Sequence, residues 1–159
     1  HYAMGLLVDG AGNDLYNPQQ WVAYVNLGSG HDYSLGIHVD DGGDDEYRAG
    51  GLGGGSGNCN GIGLFVNNGG SDTYHASSRS TFGVARLSGE CNGSGSPRLL
   101  VPTTGIFIDA AGADGYDRPP DTLPVLEDNT SWQQNENDPA IETEHGAGID
   151  APEGESYVH

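Results

Sequence analysis

The sequence predicts an all-β fold, and three observations lead to this prediction. A twelve-residue motif recurs along the chain, 28 of the 159 residues are glycine, and short apolar stretches are followed each time by Gly- and Asp-rich turns. Only 35% of the residues are hydrophobic, so the apolar content must be concentrated at the repeated positions. We therefore expect short strands joined by tight corners, in a chain long enough for one ordinary domain.

The motif is clearest at residues 36–47, which read Gly-Ile-His-Val-Asp-Asp-Gly-Gly-Asp-Asp-Glu-Tyr. Further copies begin at Gly5, Gly63 and Gly105, and a degraded copy begins at Gly146. Equivalent positions in neighbouring copies are 27 to 42 residues apart. Internal periods of this size indicate stacked supersecondary units.

We expect these units to form a β-solenoid of about five coils, with irregular loops and a C-terminal cap. Each coil would lie about 4.8 Å from the next, so that the stack itself forms the core. The alternative is an antiparallel β-sandwich in which the motifs are hairpins. Residues 1–118 would form the repeat domain, and the acidic, turn-rich residues 119–159, which include the degraded copy, would cap it.

Each copy begins as a strand and ends in a turn. Aliphatic side chains occupy its second and fourth positions, as Ile37 and Val39 do, and we expect them to face inward. The third position, His38 in this copy, would then face outward. The Asp-Gly run that follows predicts a turn, because Gly accepts positive φ and Asp bonds nearby backbone amides.

In-register stacking would align the acidic residues of the motif in two columns. The fifth position forms the first column, which is Asp9, Asp40, Asn67, Asp109 and Asp150. The tenth position forms the second column, which is Asp14, Asp45, Asp72, Asp114 and Glu155. Like charges about 5 Å apart repel by roughly 1 kcal/mol in water and by more at a protein surface. Bound cations or hydrogen bonds from turn amides must offset this repulsion, and the sequence leaves both open.

The turns at residues 10–16, 42–47 and 69–74 resemble the Gly-Gly-x-Gly-x-Asp-x-hydrophobic-x repeat of the RTX calcium-binding β-roll proteins, and similar bacterial surface repeats. In that family, turn carbonyls and the Asp hold Ca²⁺ between successive coils. The resemblance covers about seven residues per copy; the copies are not in tandem, and Tyr replaces the usual aliphatic residue. It implies Ca²⁺ as a bound ion and carries over to Asp14, Asp45, Asp72 and Asp114. Because the Asp-x-x-Gly-x-Asp pattern places fifth- and tenth-position side chains on either side of one turn, the full set of expected ligands is Asp9, Asp14, Asp40, Asp45, Asn67, Asp72, Asp109 and Asp114.

The twelfth motif position is a column of tyrosines, namely Tyr16, Tyr47, Tyr74, Tyr116 and Tyr157. Stacked aromatic residues at one repeated position favour a ladder within the core. A glycan-binding stripe, assisted by Trp21 and Trp132, is the alternative. The sequence therefore leaves a carbohydrate-binding module open as a function.

Charge and cysteine content limit the partners and the compartment. Acidic residues outnumber basic ones by 23 to 5, and the net charge is −18, which argues against nucleic acid and anionic membranes as partners. No apolar run is long enough to span a membrane. Cys59 and Cys91 can form a disulfide in an oxidising compartment, or they can be two separate free thiols. We expect a secreted or cell-surface protein. The chain starts within a motif, so we expect it to be part of a longer protein.

No catalytic motif is present, and we expect a non-catalytic extracellular structural or adhesive module stabilised by calcium. Its partners would be other protein subunits or neighbouring coils of a longer chain. The six histidines show no metal-binding spacing. A polysaccharide lyase or hydrolase is the enzymatic alternative; it would need a carboxylate cluster beside one of the five arginines, which are Arg48, Arg79, Arg86, Arg98 and Arg118.

Overall fold

The computed structural model describes residues 2–19, 25–87, 91, 93, 95–119, 125–135 and 143–152. Trp21, Glu155 and Tyr157 lie outside these residues. The described strands, in chain order, are β1 (Met4–Asp9), β2 (Leu15–Tyr16), β3 (Gly30–His31), β4 (Leu35–Asp40), β5 (Glu46–Ala49), β6 (Gly57–Asn58), β7 (Ile62–Asn67), β8 (Thr73–Ala76), β9 (Ala85–Arg86), β10 (Thr103–Asp109), β11 (Gly115–Asp117), β12 (Ser131–Gln133) and β13 (Glu144–Asp150). A 3-10 turn is formed by Pro97–Leu100.

The largest sheet contains the first half of all five motif copies. Its strand order is β1-β4-β7-β10-β13-β12. The motif strands are parallel and in register, so that Gly36 faces Gly5 on one side and Gly63 on the other. Strand β12 pairs antiparallel with β13 at one edge. Two strands of the acidic segment 119–159 therefore belong to this sheet.

Two smaller parallel sheets complete the fold. The end of each motif forms a four-stranded sheet in the order β11-β8-β5-β2, which aligns the tyrosines of the twelfth position. The two-residue strands β3, β6 and β9 form the third sheet, and they come from the segments between motif copies. These segments share a Gly-x-Gly or Gly-x-Ala pattern at residues 28–30, 55–57 and 83–85 that sequence analysis did not recognise.

The prediction of a β-solenoid with about five coils is wrong, although the all-β class holds. The strands form separate sheets of six, four and three strands, and the units do not contribute equally to them. The largest sheet is mixed, because β12 is antiparallel. The motif strands pair laterally because the motif repeats. The inserts between copies have unequal lengths, so the units contribute different further strands to the sheets. The antiparallel sandwich is also wrong, because neighbouring motif strands are parallel.

The predicted orientation of the motif strands is wrong as well. The third-position residues His38, Phe65 and Phe107 are buried, whereas Ile37 and Val39 of the second and fourth positions remain partly exposed. In an alternating strand, either set of alternate side chains can face the core. The aliphatic residues at the second and fourth positions led to the wrong prediction of which set is buried. Here the rings of the third position stack against the tyrosine sheet, so the largest side chains occupy the interior.

Two columns of rings form the core. In the first, His38 and Phe65 stack with ring centroids 4.9 Å apart, and Phe65 stacks on Phe107 at 5.0 Å. In the second, Tyr47 stacks on Tyr16 at 4.9 Å and on Tyr74 at 5.1 Å. These separations match the spacing of neighbouring strands, so the sheet register holds each ring against the next.

Trp132 closes the ring columns at the β12 edge. The degraded copy has Gly148 at its third position, and a side chain there would collide with the Trp132 indole. The indole instead packs on Phe107 at 5.5 Å and edge-on to Tyr116 at 6.1 Å. Its N–H donates to the Phe82 carbonyl oxygen at 3.1 Å. The change from an aromatic residue to glycine in the last copy therefore makes room for this tryptophan.

Glycine is required in the turns because neighbouring units approach closely there. Gly43 and Gly70 have φ values of 144° and 141°, which L side chains rarely adopt. A side chain at Gly43 would also overlap the Gly12 carbonyl oxygen, and one at Gly70 would overlap that of Gly43. The glycine pairs of the motif thus allow the turns to stack backbone on backbone.

Of the two states that the sequence left open for the cysteines, the structure has the disulfide, which joins Cys59 to Cys91. It ties the insert that follows β9 to the loop after β6, and both cysteines pack with Leu87. Disulfides of this kind are typical of oxidising compartments. The described part of the chain contains no helix with the length and apolar character of a transmembrane span.

Candidate metal centre

The structure aligns both predicted carboxylate columns. Fifth-position residues pair laterally in the large sheet, as in Asp9 with Asp40 and Asp109 with Asp150. Tenth-position residues are linked by hydrogen bonds between successive units. The two columns run side by side at the corner where each motif strand meets its turn, and Glu155 lies outside the described residues.

Tyrosine hydroxyls donate hydrogen bonds to the first column. Tyr16 Oη donates to Asp40 Oδ2 at 2.6 Å and also lies 3.0 Å from Asp9 Oδ2. Tyr47 Oη donates to Asp40 Oδ2 at 2.9 Å. Tyr74 donates to Asp109. The tyrosine ladder therefore stabilises part of the negative charge of this column from inside the core.

Backbone amides donate hydrogen bonds to the second column. The amides of Asp14, Asp45 and Asp72 each donate to the carboxylate of the next unit at 2.7 Å. The amide of Asp114 donates instead to Asp128 Oδ1 at 3.0 Å. Asp45, Asp72 and Asp114 thus each accept a hydrogen bond from the neighbouring unit, which offsets part of the repulsion along the column without any ion.

The columns converge on one buried cluster, which we call the Asp72 group and which consists of Asp72, Asp109 and Asp114. One ligand oxygen from each residue lies within 4.8 Å of the other two. Asp72 and Asp109 are buried, and Asp114 is partly buried. No Lys or Arg forms an ion pair with this group among the described residues.

Two carboxylate oxygens of the Asp72 group, Asp109 Oδ1 and Asp114 Oδ2, have no hydrogen-bond partner. In the second and third copies, the amide two residues after the fifth position donates back to it: Gly42 to Asp40 Oδ1 and Gly69 to Asn67 Oδ1, both at 3.1 Å. The fourth copy lacks the equivalent bond, and Asp109 Oδ1 is buried without a partner, as is Asp114 Oδ2. A buried carboxylate oxygen in this state needs a proton or a cation.

The protonation equilibria of the Asp72 group reflect this burial. Desolvation, reinforced by the neighbouring carboxylates, raises the pKa of Asp109 to about 8, that of Asp114 to about 7 and that of Asp72 to about 6. In contrast, hydrogen bonds from Tyr16, Gly42 and Tyr47 outweigh burial and lower the pKa of Asp40. Only part of the first column is therefore stable as a bare carboxylate near neutral pH.

A second group shares Asp114 and includes Asp128 and Asp150, again within 4.8 Å of one another. Its oxygens are better satisfied. Asp150 accepts from the Asn129 amide at 3.0 Å and from Tyr116 Oη at 2.7 Å, and Asp128 accepts from the Asp114 amide. A third group, around Cys59 and Cys91, is no metal site because both sulfurs are in the disulfide.

The predicted ligands are therefore not equivalent. Asp72, Asp109 and Asp114 come together, whereas Asp9, Asp14, Asp40 and Asp45 lie along the columns, and Asn67 donates its amide to Asp72 at 2.6 Å. Their roles as ligands remain a prediction. Sequence analysis missed Asp128, because it lies outside the motif and only the fold of the acidic segment brings it to Asp114.

The residues of the alternative functions occupy other places. Tyr47 and Tyr74 are fully buried and Trp132 is nearly so, so their rings are not a surface stripe. Arg48 pairs with Glu46 at 2.5 Å and Arg98 with Asp32 at 2.5 Å, away from the Asp72 group.

His38, expected at the surface, is buried among rings, and burial lowers its pKa to about 4.

A scan of protein-family models, a search of curated proteins and a search of solved structures each gave no match to this chain.

Proposed function

We propose that the protein is a non-catalytic structural or adhesive module that works outside the cell and is stabilised by Ca²⁺ bound at the Asp72 group. The observation that carries the proposal is the buried, partnerless Asp109 Oδ1 beside two further carboxylates. Three carboxylates in a buried, poorly solvated site repel one another strongly. A divalent cation would remove this repulsion and would also bind the oxygen that lacks a hydrogen-bond partner.

The ligand types favour calcium over transition metals. The Asp72 group offers only oxygen ligands, with carbonyls of the adjoining Gly-rich turns within the same corner of the fold. Ca²⁺ takes six to eight oxygen ligands in flexible arrangements, whereas Zn²⁺ and Cu²⁺ prefer His and Cys. Asp72, Asp109 and Asp114 would hold the ion, which would tie the third motif copy to the fourth.

The extracellular setting is supported by the disulfide and the charge. The Cys59–Cys91 bond requires an oxidising environment to persist. A net charge of −18 keeps a protein soluble, and it favours cations over nucleic acid or anionic lipid as ligands. Millimolar calcium sites are typical of extracellular modules, so a weakly bound structural ion is consistent with this setting.

The test is thermal unfolding of the EDTA-treated chain, followed by circular dichroism at pH 7.5 with and without about 10 mM CaCl₂, which would saturate sites with Kd values of about 0.1–1 mM. We expect Ca²⁺ to raise the Tm by about 3–10 °C, since about 1.4 kcal/mol is gained at a ligand concentration of 10 Kd and about 2.7 kcal/mol at 100 Kd. Asp109→Asn should abolish this rise.

Glu127→Gln is the matched control. Glu127 is exposed and close in sequence to Asp128, so its substitution removes one negative charge without changing the Asp72 group. This variant should retain the full response to Ca²⁺. An unchanged Tm for the parent chain in EDTA and in CaCl₂, or an equal response of Asp109→Asn and the parent, would exclude the proposed site.

A further inference from the structure

The outward face of the five parallel motif strands is mainly aliphatic, and Thr104 and His145 also lie on it. Its aliphatic part is formed by the second and fourth positions of the five motif strands, which we call the aliphatic face, and none of these ten side chains is charged. Leu6 and Val8 are each 62% exposed, and Ile106 is 36% exposed. Ile37, Leu64 and Val66 are partly exposed. These are the residues that sequence patterning assigns to a core.

Such a face is unusual for parallel strands. Parallel sheets are nearly always covered on both faces, and their strands are apolar on both sides for that reason. The inner face of this sheet is covered by the ring columns, whereas the aliphatic face is not fully buried by the described residues. A contiguous apolar surface on a strongly acidic protein marks a site of association.

We propose that the aliphatic face binds the same face of a second copy of the chain, which gives a two-fold symmetric dimer. Aliphatic sheet faces pack on each other about 10 Å apart, with the strands of the two sheets nearly aligned. A two-fold axis makes one surface patch its own partner. The charged columns of Asp9, Asp40 and Asp109 point to the opposite side of the sheet, so they do not meet across this interface.

The size of the face fits a weak, specific dimer. Five strands about 4.8 Å apart and six residues long at about 3.3 Å per residue span roughly 500 Å² on each copy. Both copies together would bury about 1,000 Å², which is the lower limit for a specific interface. The charge of −18 on each copy opposes association, so dimerisation should strengthen as NaCl screens this repulsion.

The test is sedimentation equilibrium of the chain from about 1 to 300 µM, a range that covers weak to moderate dimers, in EDTA and in CaCl₂. We expect a monomer–dimer equilibrium. Leu64→Lys, at the centre of the face, should raise the dimer Kd at least about 10-fold. Leu100→Lys is the matched control, because Leu100 is 82% exposed on the 3-10 turn and should leave the Kd unchanged.

Leu6→Lys is a second variant at a position so exposed that folding is not at risk, and near-ultraviolet circular dichroism verifies the fold of each variant. A chain that stays monomeric over the whole range overturns the proposal. Equal dimer Kd values for Leu64→Lys, Leu6→Lys and the parent also overturn it. Binding of the monomer to phosphatidylcholine vesicles, lost in Leu64→Lys, would assign the face to lipid instead.

Discussion

The large sheet ends differently at its two edges, β1 and β12. At the β12 edge, Trp132 covers the ring columns and is itself buried. At the β1 edge, the third motif position is Leu7, which is 46% exposed. Tyr16 is only partly buried there, although it stacks on Tyr47. The same motif thus places its third residue in the core or in solvent, according to whether another element lies beyond it.

No single unit of the repeat buries its own core residues without a neighbouring unit. His38, Phe65 and Phe107 are buried because each has a neighbour on both sides, and not because of any property of its own copy. Most of the stability should therefore reside between the second copy and the Trp132 edge. The β1 edge should contribute less, since its side chains stay exposed and bury little apolar surface on folding.

Substitution of the closing residue should have the largest effect. Trp132→Ala removes the indole from Phe107 and from the space over Gly148, and we expect a loss of about 3–5 kcal/mol in the free energy of unfolding. Leu7→Ala at the open edge should cost less than about 1 kcal/mol, because Leu7 is half exposed. Urea denaturation measures both; equal losses would show that the two edges do not differ.

Two glycine-to-alanine substitutions, one at each edge, compare the edges with smaller changes in side-chain volume. Gly148→Ala places a methyl group against the Trp132 indole and should cost about 1–3 kcal/mol through overpacking. Gly5→Ala, at the first position of β1, meets nothing within 4 Å and should be close to neutral. Thermal unfolding of the two variants measures the loss of stability in each. Strong destabilisation by Gly5→Ala would indicate that the β1 edge is covered in solution.

The smallest effect concerns pH. Because the pKa of Asp109 is raised from 3.8 to about 8, the folded chain binds more protons than the unfolded chain between these values. Without Ca²⁺, stability is therefore highest near pH 4 for this group and falls as the pH rises to about 8. His38 acts oppositely below pH 6.5, since its pKa is lowered to about 4 and the unfolded chain binds the proton.

Asp109→Asn should reduce the fall between pH 7 and 8, where Asp109 titrates above Asp114 and Asp72, and in EDTA it should retain about 1 kcal/mol that the parent loses over this interval, because it removes the unpartnered charge. Asp9→Asn, in the same column at the open edge, is the matched control for the loss of one carboxylate. Chemical denaturation across this pH range measures the slope. An equal slope between pH 7 and 8 in Asp109→Asn and in the parent would contradict the assignment of the titrating group.

Much of the candidate site could be predicted from the sequence, because the motif aligns its own residues. The spacing of Asp109 and Asp114 within one copy, and the in-register stacking that brings Asp72 beside them, follow from repetition alone. Repetition could not distinguish the copies. The missing amide donor at Ala111 leaves Asp109 Oδ1 without a partner, and this difference exists only in the folded turn.

By itself, the sequence determined the all-β class, the strand-turn-strand motif and its lateral register, and it left open whether the two cysteines pair. Only the tertiary structure decided the number of sheets, the inward direction of Phe65 and Phe107, and the closure by Trp132 over Gly148. The reason is that an alternating strand is compatible with either face as the core. Which face is buried depends on the elements that pack against it, and those come from distant, non-repeating segments.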